Sequence, residues 1–218
     1  MCVSLRSFCL GCLCCVCCAL MSSAQTPTPP EYLKTSFELN IGGALVDSTG
    51  DLNGIFKNAP MVGGAFAYRF HRNIQVEGGL DVAFGAARLS GSGQLSGGGT
   101  LNTTDREYFL LLGGRWVMPF KQEKYLLTGG AGAAIVNYNE VPVSVPGVRI
   151  VCSGCSSRQG AGYYTLMGFK RMINPNFGIG VTVKAIISKT EGDSLNTPLA
   201  LKSNDKWGLV SLTFSFHR

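Results

Sequence analysis

The feature that most constrains this chain is a strict two-residue alternation of apolar and polar side chains. It is clearest in the segment IQVEGGLDVAF, residues 74–84. One face holds Ile74, Val76, Leu80, Val82 and Phe84, and the other holds Gln75, Glu77, Gly79 and Asp81. Because successive side chains of a β-strand point to opposite faces, this period predicts a strand with one apolar and one polar face.

The same period recurs in eight runs. They cover residues 35–46, 61–71, 73–86, 107–118, 124–138, 161–171, 177–188 and 206–217. Most runs are longer than the five or six residues usual in globular sheets, and they match the roughly 9 to 11 residues of a tilted strand that crosses a hydrocarbon layer. The 29 glycines argue against long helices, because glycine costs about 1 kcal/mol relative to alanine in a helix.

The connections between the runs alternate in length. Long connections cover 47–60, 87–106, 139–160 and 189–205, and short ones lie at 72–73, 119–123 and 172–176. Long and short connections therefore fall at opposite ends, which predicts an antiparallel up-and-down sheet. The three short connections resemble one another, because each has aromatic and basic residues before the reversal: YRFHRNIQV, VMPFKQEKYLL and GFKRMINPNFGIGV.

Composition decides which face meets water. Charged residues make up 15% of the chain, whereas a soluble outer face needs about 25–35%. The polar rows are rich in Gly, Ser and Thr, which suits a narrow interior filled by side chains. We therefore predict that the apolar rows face lipid and the polar rows face inward. The pattern leaves runs five and six ambiguous; in run six it favours an apolar row of Tyr163, Thr165, Met167 and Phe169.

The first 24 residues differ from the rest. Arg6 precedes an apolar run from Cys9 to Met21, which is shorter than the roughly 20 residues of a transmembrane helix. The small residues at 22–24 complete the pattern of a secretory signal, cut before Gln25. An uncleaved membrane anchor is the alternative. Seven of the 9 cysteines lie in this segment, so the exported chain is not a cysteine-rich scaffold.

Together these patterns resemble the small bacterial outer-membrane barrels of the OmpA and OmpX type. The resemblance covers residues 35–218 and includes the ending GLVSLTFSFHR, which is similar to the last strand that the barrel-insertion machinery reads. It implies an all-β fold, namely an eight-stranded antiparallel transmembrane β-barrel in the outer membrane, in contact with its lipids. It also implies that the short turns and both termini are periplasmic, that 25–34 is a short periplasmic lead and that the long loops are external.

Charged residues on the polar rows are predicted to form a network in the lumen, because isolated enclosed charges are costly and must pair. The candidates are Glu38, Arg69, Glu77, Asp81, Glu107, Arg115 and Lys184. Such a network either lines a gated polar path or plugs the barrel and fixes its register. Since eight strands leave room only for side chains, the plug is the favoured interpretation.

Aromatic residues near the run ends are predicted to form two interfacial girdles. At the long-loop end these are Phe84, Tyr108, Tyr163 and Trp207, and at the short-turn end Phe70, Trp116, Phe177 and Phe216. Plain core packing is the alternative explanation for them.

The pair Cys152 and Cys155 is predicted to form a local disulfide in an external loop. A redox motif requires a βαβ context, and zinc requires about four ligands, neither of which the sequence supplies. The near-match to a dinucleotide fingerprint at Gly130 and Gly132 has no following helix. No metal, cofactor or nucleic acid is therefore predicted; the net charge of +6 is mild, and no basic cluster with interleaved aromatics appears.

The sequence predicts a non-enzymatic outer-membrane barrel with a structural or surface-interaction role. The loops 87–106 and 139–160 are the expected contact with an unidentified extracellular ligand. A narrow channel for small solutes is the first alternative. A lipid-modifying enzyme is the second; it is disfavoured because His71 and His217 are the chain's two histidines and fall at the short-turn end, away from the outer leaflet.

Overall fold

The structure, a computed structural model, describes residues 34–50, 58–85, 103–142, 157–194 and 197–218. Several sequence predictions fall outside these ranges: the signal segment 1–24, almost all of the lead 25–34, and Cys152 with Cys155. Within the described ranges, no helix is long and apolar enough to cross a membrane.

Eight antiparallel strands form one closed barrel in the order β1 to β8, which confirms the predicted fold. The strands are β1 (Thr35–Gly50), β2 (Ala59–His71), β3 (Ile74–Gly85), β4 (Thr103–Phe120), β5 (Tyr125–Pro142), β6 (Ser157–Asn174), β7 (Phe177–Ser194) and β8 (Thr197–His217). Each pairs with its neighbours in sequence, and β1 also pairs with β8. At the point of closure, the backbones of Thr35 and Arg218 exchange two hydrogen bonds of 2.9 Å.

The register sets the tilt of the strands. Following paired residues from Glu38 on β1 through every strand to β8 leads back to Ser48 on β1, ten residues further along. A stagger of this size goes with strands tilted by roughly 35–45° and with an interior that side chains can fill.

Several strands are longer than the hydrophobic pattern predicts, and the larger extensions lie at the end that carries the long connections. β4 begins at Thr103, β6 at Ser157 and β8 at Thr197, whereas the alternation predicts starts at 107, 161 and 206. At the other end β4 and β6 continue to Phe120 and Asn174, past the predicted ends at 118 and 171. Backbone ladder hydrogen bonds continue where the apolar and polar residues no longer alternate clearly, so a pattern based on apolar residues misses these extensions. We call this the loop end, and the opposite end the short-turn end.

The outward face is apolar on every strand. Leu112 on β4 is 69% exposed and Tyr163 on β6 is 78% exposed. On β6 the outward row is Tyr163, Thr165, Met167 and Phe169, as the sequence favours. On β5, which the sequence leaves ambiguous, Ile135 points outward and Val136 inward.

Side chains at the short-turn end fasten the turns to neighbouring strands. Asn73 in the β2–β3 turn donates a hydrogen bond from Nδ2 to the carbonyl of Val117 at 2.7 Å. The backbone carbonyl of Asn73 accepts one from the Val117 N–H at 2.8 Å. Asn176 in the β6–β7 turn donates its N–H to Oδ1 of Asn174 at 2.9 Å and its Nδ2 to the carbonyl of His217 at 3.2 Å. This end of the barrel is therefore closely cross-linked.

Candidate functional site

An ionic cluster occupies the part of the lumen nearer the short-turn end. Arg115 on β4 donates hydrogen bonds to Glu38 on β1 and to Glu77 on β3. Lys170 on β6 donates to Glu38 as well. These strands surround the lumen, so the cluster ties opposite walls of the barrel together.

A second ion pair joins Lys184 on β7 to Asp81 on β3. Asn40 approaches the Asp81 carboxylate with its Nδ2 at 3.5 Å and accepts a hydrogen bond from Oγ1 of Thr213 at 2.9 Å. The Thr213 hydroxyl also lies 2.8 Å from Oγ1 of Thr182. The polar rows of β1, β3, β7 and β8 are thus connected through this pair.

From here on, the ionic cluster means these two groups of ion pairs together. Its six charges balance, with three carboxylates facing three cations. Each of these side chains is at most 5% exposed. Removing a charge from water costs several kcal/mol, which only close pairing and further hydrogen bonds offset. Tyr164 supplies one such bond by donating its hydroxyl to Oε1 of Glu77 at 2.8 Å.

Inward-facing glycines make room for the larger members of this cluster. A Cβ at Gly113 or Gly132 would collide with Tyr164 as well as with neighbouring backbone. A Cβ at Gly180 would collide with the side chain of Lys170. Glycine in a strand often marks such close approach, which explains the small residues on the inner face of β5 and β7.

An apolar layer lies next along the barrel axis, towards the loop end. Every one of the eight strands contributes to it: Ala44, Ala59, Met61, Ala83, Phe109, Leu111, Ala134, Val136, Tyr164, Leu166, Ile186, Trp207 and Leu209. Phe109 and Trp207 meet edge to face, with ring centroids 5.2 Å apart. Packed aromatic and aliphatic side chains therefore extend across the whole lumen.

A polar layer follows at the loop end. Thr190 and Ser203 both donate to Oδ2 of Asp205, at 2.7 and 3.0 Å. The guanidinium of Arg158 lies over the ring of Tyr138, 5.5 Å from its centroid. The described lumen thus has three layers, with charges at both ends and apolar packing between them.

Among known proteins, no family model and no curated protein matches this sequence. Solved structures do match. The chain is similar to the outer membrane protein OprG from Pseudomonas aeruginosa, with a TM-score of 0.50 and 16% identity over 86% of this chain and 98% of that one. It is also similar to the Neisserial surface protein A, with a TM-score of 0.52 and 11% identity over 84% of this chain and 97% of that one.

The chain has the fold of the small eight-stranded outer-membrane β-barrels. At these identities the likeness concerns the fold alone. It matches the resemblance inferred from the strand pattern.

Five of the seven predicted lumen charges of this outer-membrane barrel fold lie in the ionic cluster: Glu38, Glu77, Asp81, Arg115 and Lys184. The other two, Arg69 and Glu107, lie nearer the two ends of the lumen.

Arg69 lies nearer the short-turn end, beside Gln75. When the amide oxygen of Gln75 is turned towards it, Nε and Nη2 of Arg69 donate hydrogen bonds to that oxygen at 3.0 and 3.1 Å. Glu107 lies beyond Phe109 on β4, at the level of the loop-end polar layer. The apolar layer therefore lies between Glu107 and the ionic cluster.

The sequence prediction omits Lys170, although a signal is present. The pattern places Phe169 on the outward row of β6, so its neighbour Lys170 must point inward. The prediction instead counts Lys170 among the basic residues of the adjacent turn. Arg158 and Asp205 at the loop end were missed because they lie beyond the runs of clear alternation.

Seven of the eight aromatics predicted for the girdles are outside the buried interior: Phe70, Phe84, Tyr108, Trp116, Tyr163, Phe177 and Phe216. The prediction for Trp207 is wrong in orientation, because this side chain is 4% exposed and packs in the apolar layer.

Both histidines lie at the short-turn end; His71 is exposed and His217 is buried. Within the described residues, no group of three or more His, Cys, Asp or Glu side chains could hold a metal ion.

Proposed function

We propose that this chain is a non-enzymatic outer-membrane β-barrel whose lumen does not conduct ions or small solutes. We propose further that it has a structural or surface-interaction role through its loop end. The observation that carries the proposal is the apolar layer across the lumen, to which all eight strands contribute. An ion that entered this layer would lose most of its hydration and meet few polar groups, which is strongly unfavourable.

The outward face supports a membrane location. Soluble monomers rarely expose large contiguous apolar surfaces, yet this barrel exposes apolar side chains on every strand, such as Leu112, Val183 and Leu212. A closed barrel also pairs its strand edges, as hydrocarbon requires. We infer that segment 1–24 directs export, and that the short turns and both termini are periplasmic.

The ionic cluster supports a plug rather than a path. Its three acids and three cations neutralise one another and hold opposite walls together. A conducting lumen needs charges or dipoles that remain available to a passing ion. Here Arg115 is engaged by two carboxylates, so the cluster is better suited to fixing the register of the barrel.

A filled lumen leaves the loop end as the surface that an external ligand can reach. The connections 87–106 and 139–160 are the proposed contact, and most of their residues lie outside the described ranges. Loops that a rigid scaffold positions are where binding residues concentrate. The polar layer beneath them, with Arg158 and Asp205, gives this end both charge signs.

The decisive measurement is single-channel conductance in planar bilayers. Protein refolded into phosphatidylcholine vesicles should first show heat-modifiable migration on gels, and should then give no steady conductance. A steady conductance in the wild type that changes in an Arg115→Met variant would establish the channel alternative and remove the proposal.

Two further measurements test topology and chemistry. Trypsin added to intact cells is expected to cleave after Arg149 in the long loop 139–160, but after Lys121 in a short turn only once the membrane is permeabilised. Cleavage at Lys121 in intact cells would mean that the proposed orientation is wrong.

Mass spectrometry of lipid A from cells with and without the protein is expected to show no difference; a modified product would indicate an enzyme.

A further inference from the structure

The β4–β5 turn at the short-turn end has an unusual backbone. Lys121, Gln122 and Glu123 have φ angles of 49°, 57° and 65°. Three consecutive non-glycine residues in the left-handed region are rare, because the Cβ of each approaches a carbonyl oxygen. The turn is held by hydrogen bonds from Lys124 N–H to the Lys121 carbonyl at 3.3 Å and from Met172 N–H to the Lys124 carbonyl at 2.8 Å.

Three aromatic rings form a compact triangle on the outward face beside this turn. Tyr125 stacks on Phe120 with centroids 5.7 Å apart and on Phe169 with centroids 5.7 Å apart. The centroids of Phe120 and Phe169 are 6.1 Å apart. We call these three residues the ring triangle. It lies between the turn and the apolar outer face.

Three cations lie at the side of the ring triangle nearest the turn. Nζ of Lys121 lies 5.7 Å from the centroid of the Tyr125 ring. Arg171 is the register partner of Tyr125 on β6, and Lys124 directly precedes Tyr125 in the chain. Lys121, Lys124 and Arg171, which we call the basic trio, are all exposed. Within the described part of the chain, none of them forms a salt bridge.

The basic trio belongs to a rim of one sign. The exposed or half-buried basic side chains described at the short-turn end also include Lys34, Arg72 and Arg218. Glu123 is the one exposed acid described there. The loop end differs, because its exposed residues include Asp47 and Glu191 as well as lysines. A positive potential is therefore concentrated where the outer face stops being apolar.

We propose that the basic trio and the ring triangle bind the headgroup of an anionic phospholipid in the leaflet at the short-turn end. Ammonium and guanidinium groups bind phosphate through charge-assisted hydrogen bonds. The ring triangle lies at the level of the glycerol and upper acyl region, as aromatics do at membrane interfaces. The strained turn holds Lys121 over the ring of Tyr125. The inference rests on the proposed membrane location.

This arrangement explains why the site takes a lipid rather than a soluble anion. The cations are continuous with an apolar surface, so a ligand that satisfies both must carry a phosphate and a hydrocarbon chain.

The test is lipid binding by the folded barrel in neutral detergent, measured by native mass spectrometry. The probes are phosphatidylglycerol, phosphatidylcholine and inorganic phosphate. Wild type is expected to bind its first phosphatidylglycerol at least about tenfold more tightly than phosphatidylcholine, since each interfacial cation contributes about fivefold. Inorganic phosphate is expected not to displace the lipid.

The variant K121Q/K124Q/R171Q is expected to lose this preference while still binding phosphatidylcholine. The matched control R106Q/K189Q/K206Q removes the same charge from exposed loop-end positions and is expected to change affinity by less than about twofold. Equal preference in wild type and the trio variant, or equal loss in both variants, overturns the inference.

The two proposals fail in different ways. A barrel that inserts into phosphatidylcholine vesicles with heat-modifiable migration but shows no preference for phosphatidylglycerol contradicts only the headgroup site. A chain that does not insert into any vesicle contradicts the membrane location, and the headgroup site with it.

Discussion

Arg115 on β4 donates a hydrogen bond to Glu38 on β1, three strands away around the barrel. The same guanidinium also donates to Glu77. One side chain therefore bridges two buried carboxylates on different strands. Its loss would leave Glu38 with Lys170, but Glu77 with only the hydroxyl of Tyr164.

We expect Arg115→Ala to lower the free energy of unfolding by about 3–5 kcal/mol, since breaking a buried ion pair leaves an uncompensated charge. The measurement is urea unfolding of the barrel in phosphatidylcholine vesicles. The matched control is Lys202→Ala, which removes the exposed pair with Glu191 at 3.2 Å and should cost at most about 1 kcal/mol. Equal costs for the two variants would mean that the ionic cluster does not stabilise the barrel.

The two tryptophans of the chain test the assignment of inner and outer faces. Trp116 is 37% exposed on the outward face, whereas Trp207 is 4% exposed and packs against Phe109. We expect brominated phosphatidylcholine to quench the fluorescence of a Trp207→Phe variant, which retains Trp116. A Trp116→Phe variant, which retains Trp207, should be quenched far less. The reverse order would mean that the faces are interchanged.

Arginine substitutions should report depth in the membrane. Leu112 lies near the middle of the outward face on β4, and Phe70 lies at the short-turn end of β2. We expect Leu112→Arg to lower the free energy of unfolding in vesicles by about 2–4 kcal/mol, and Phe70→Arg by about 0–1 kcal/mol. In a barrel surrounded by water both changes would be nearly neutral, so a small effect at Leu112 would count against the membrane location.

Two glycines on β5 provide a matched pair for packing. A Cβ at Gly132 would collide with Tyr164 and with the backbone of β4, while a Cβ at Gly129 meets nothing within 4 Å. We expect Gly132→Ala to destabilise the barrel by about 1–3 kcal/mol through overpacking. Gly129→Ala should stabilise it by about 0.5–1 kcal/mol, because alanine restricts the unfolded chain more than glycine does. Urea unfolding distinguishes the two signs directly.

Period-two alternation was sufficient to predict the strand number, the antiparallel order and the orientation of most side chains. It failed on β5, where Gly and Ala occupy both faces and the residues that decide the packing lie on neighbouring strands, such as Tyr164 on β6. Hydropathy carries no information about a space that another strand fills.

The apolar layer was missed for a related reason. On β4 the run Tyr108 to Leu112 is apolar on both faces, so alternation there cannot separate a lipid-facing side chain from one inside the lumen. Trp207 could have been assigned correctly, because Val210 and Leu212 face outward on the same strand and an odd separation from Val210 reverses the face. Because Trp207 is a tryptophan near the end of a run, the sequence prediction places it at the membrane interface instead.

The pairing of β1 with β8 has a consequence for folding. These strands are the first and the last of the described barrel, so closure joins residues that are far apart in the sequence. Until β8 pairs with β1, the sheet retains unsatisfied edges, and such edges recruit other chains into aggregates. Because long-range pairing is also slow, closure is the step at which the unfinished sheet is most exposed to aggregation.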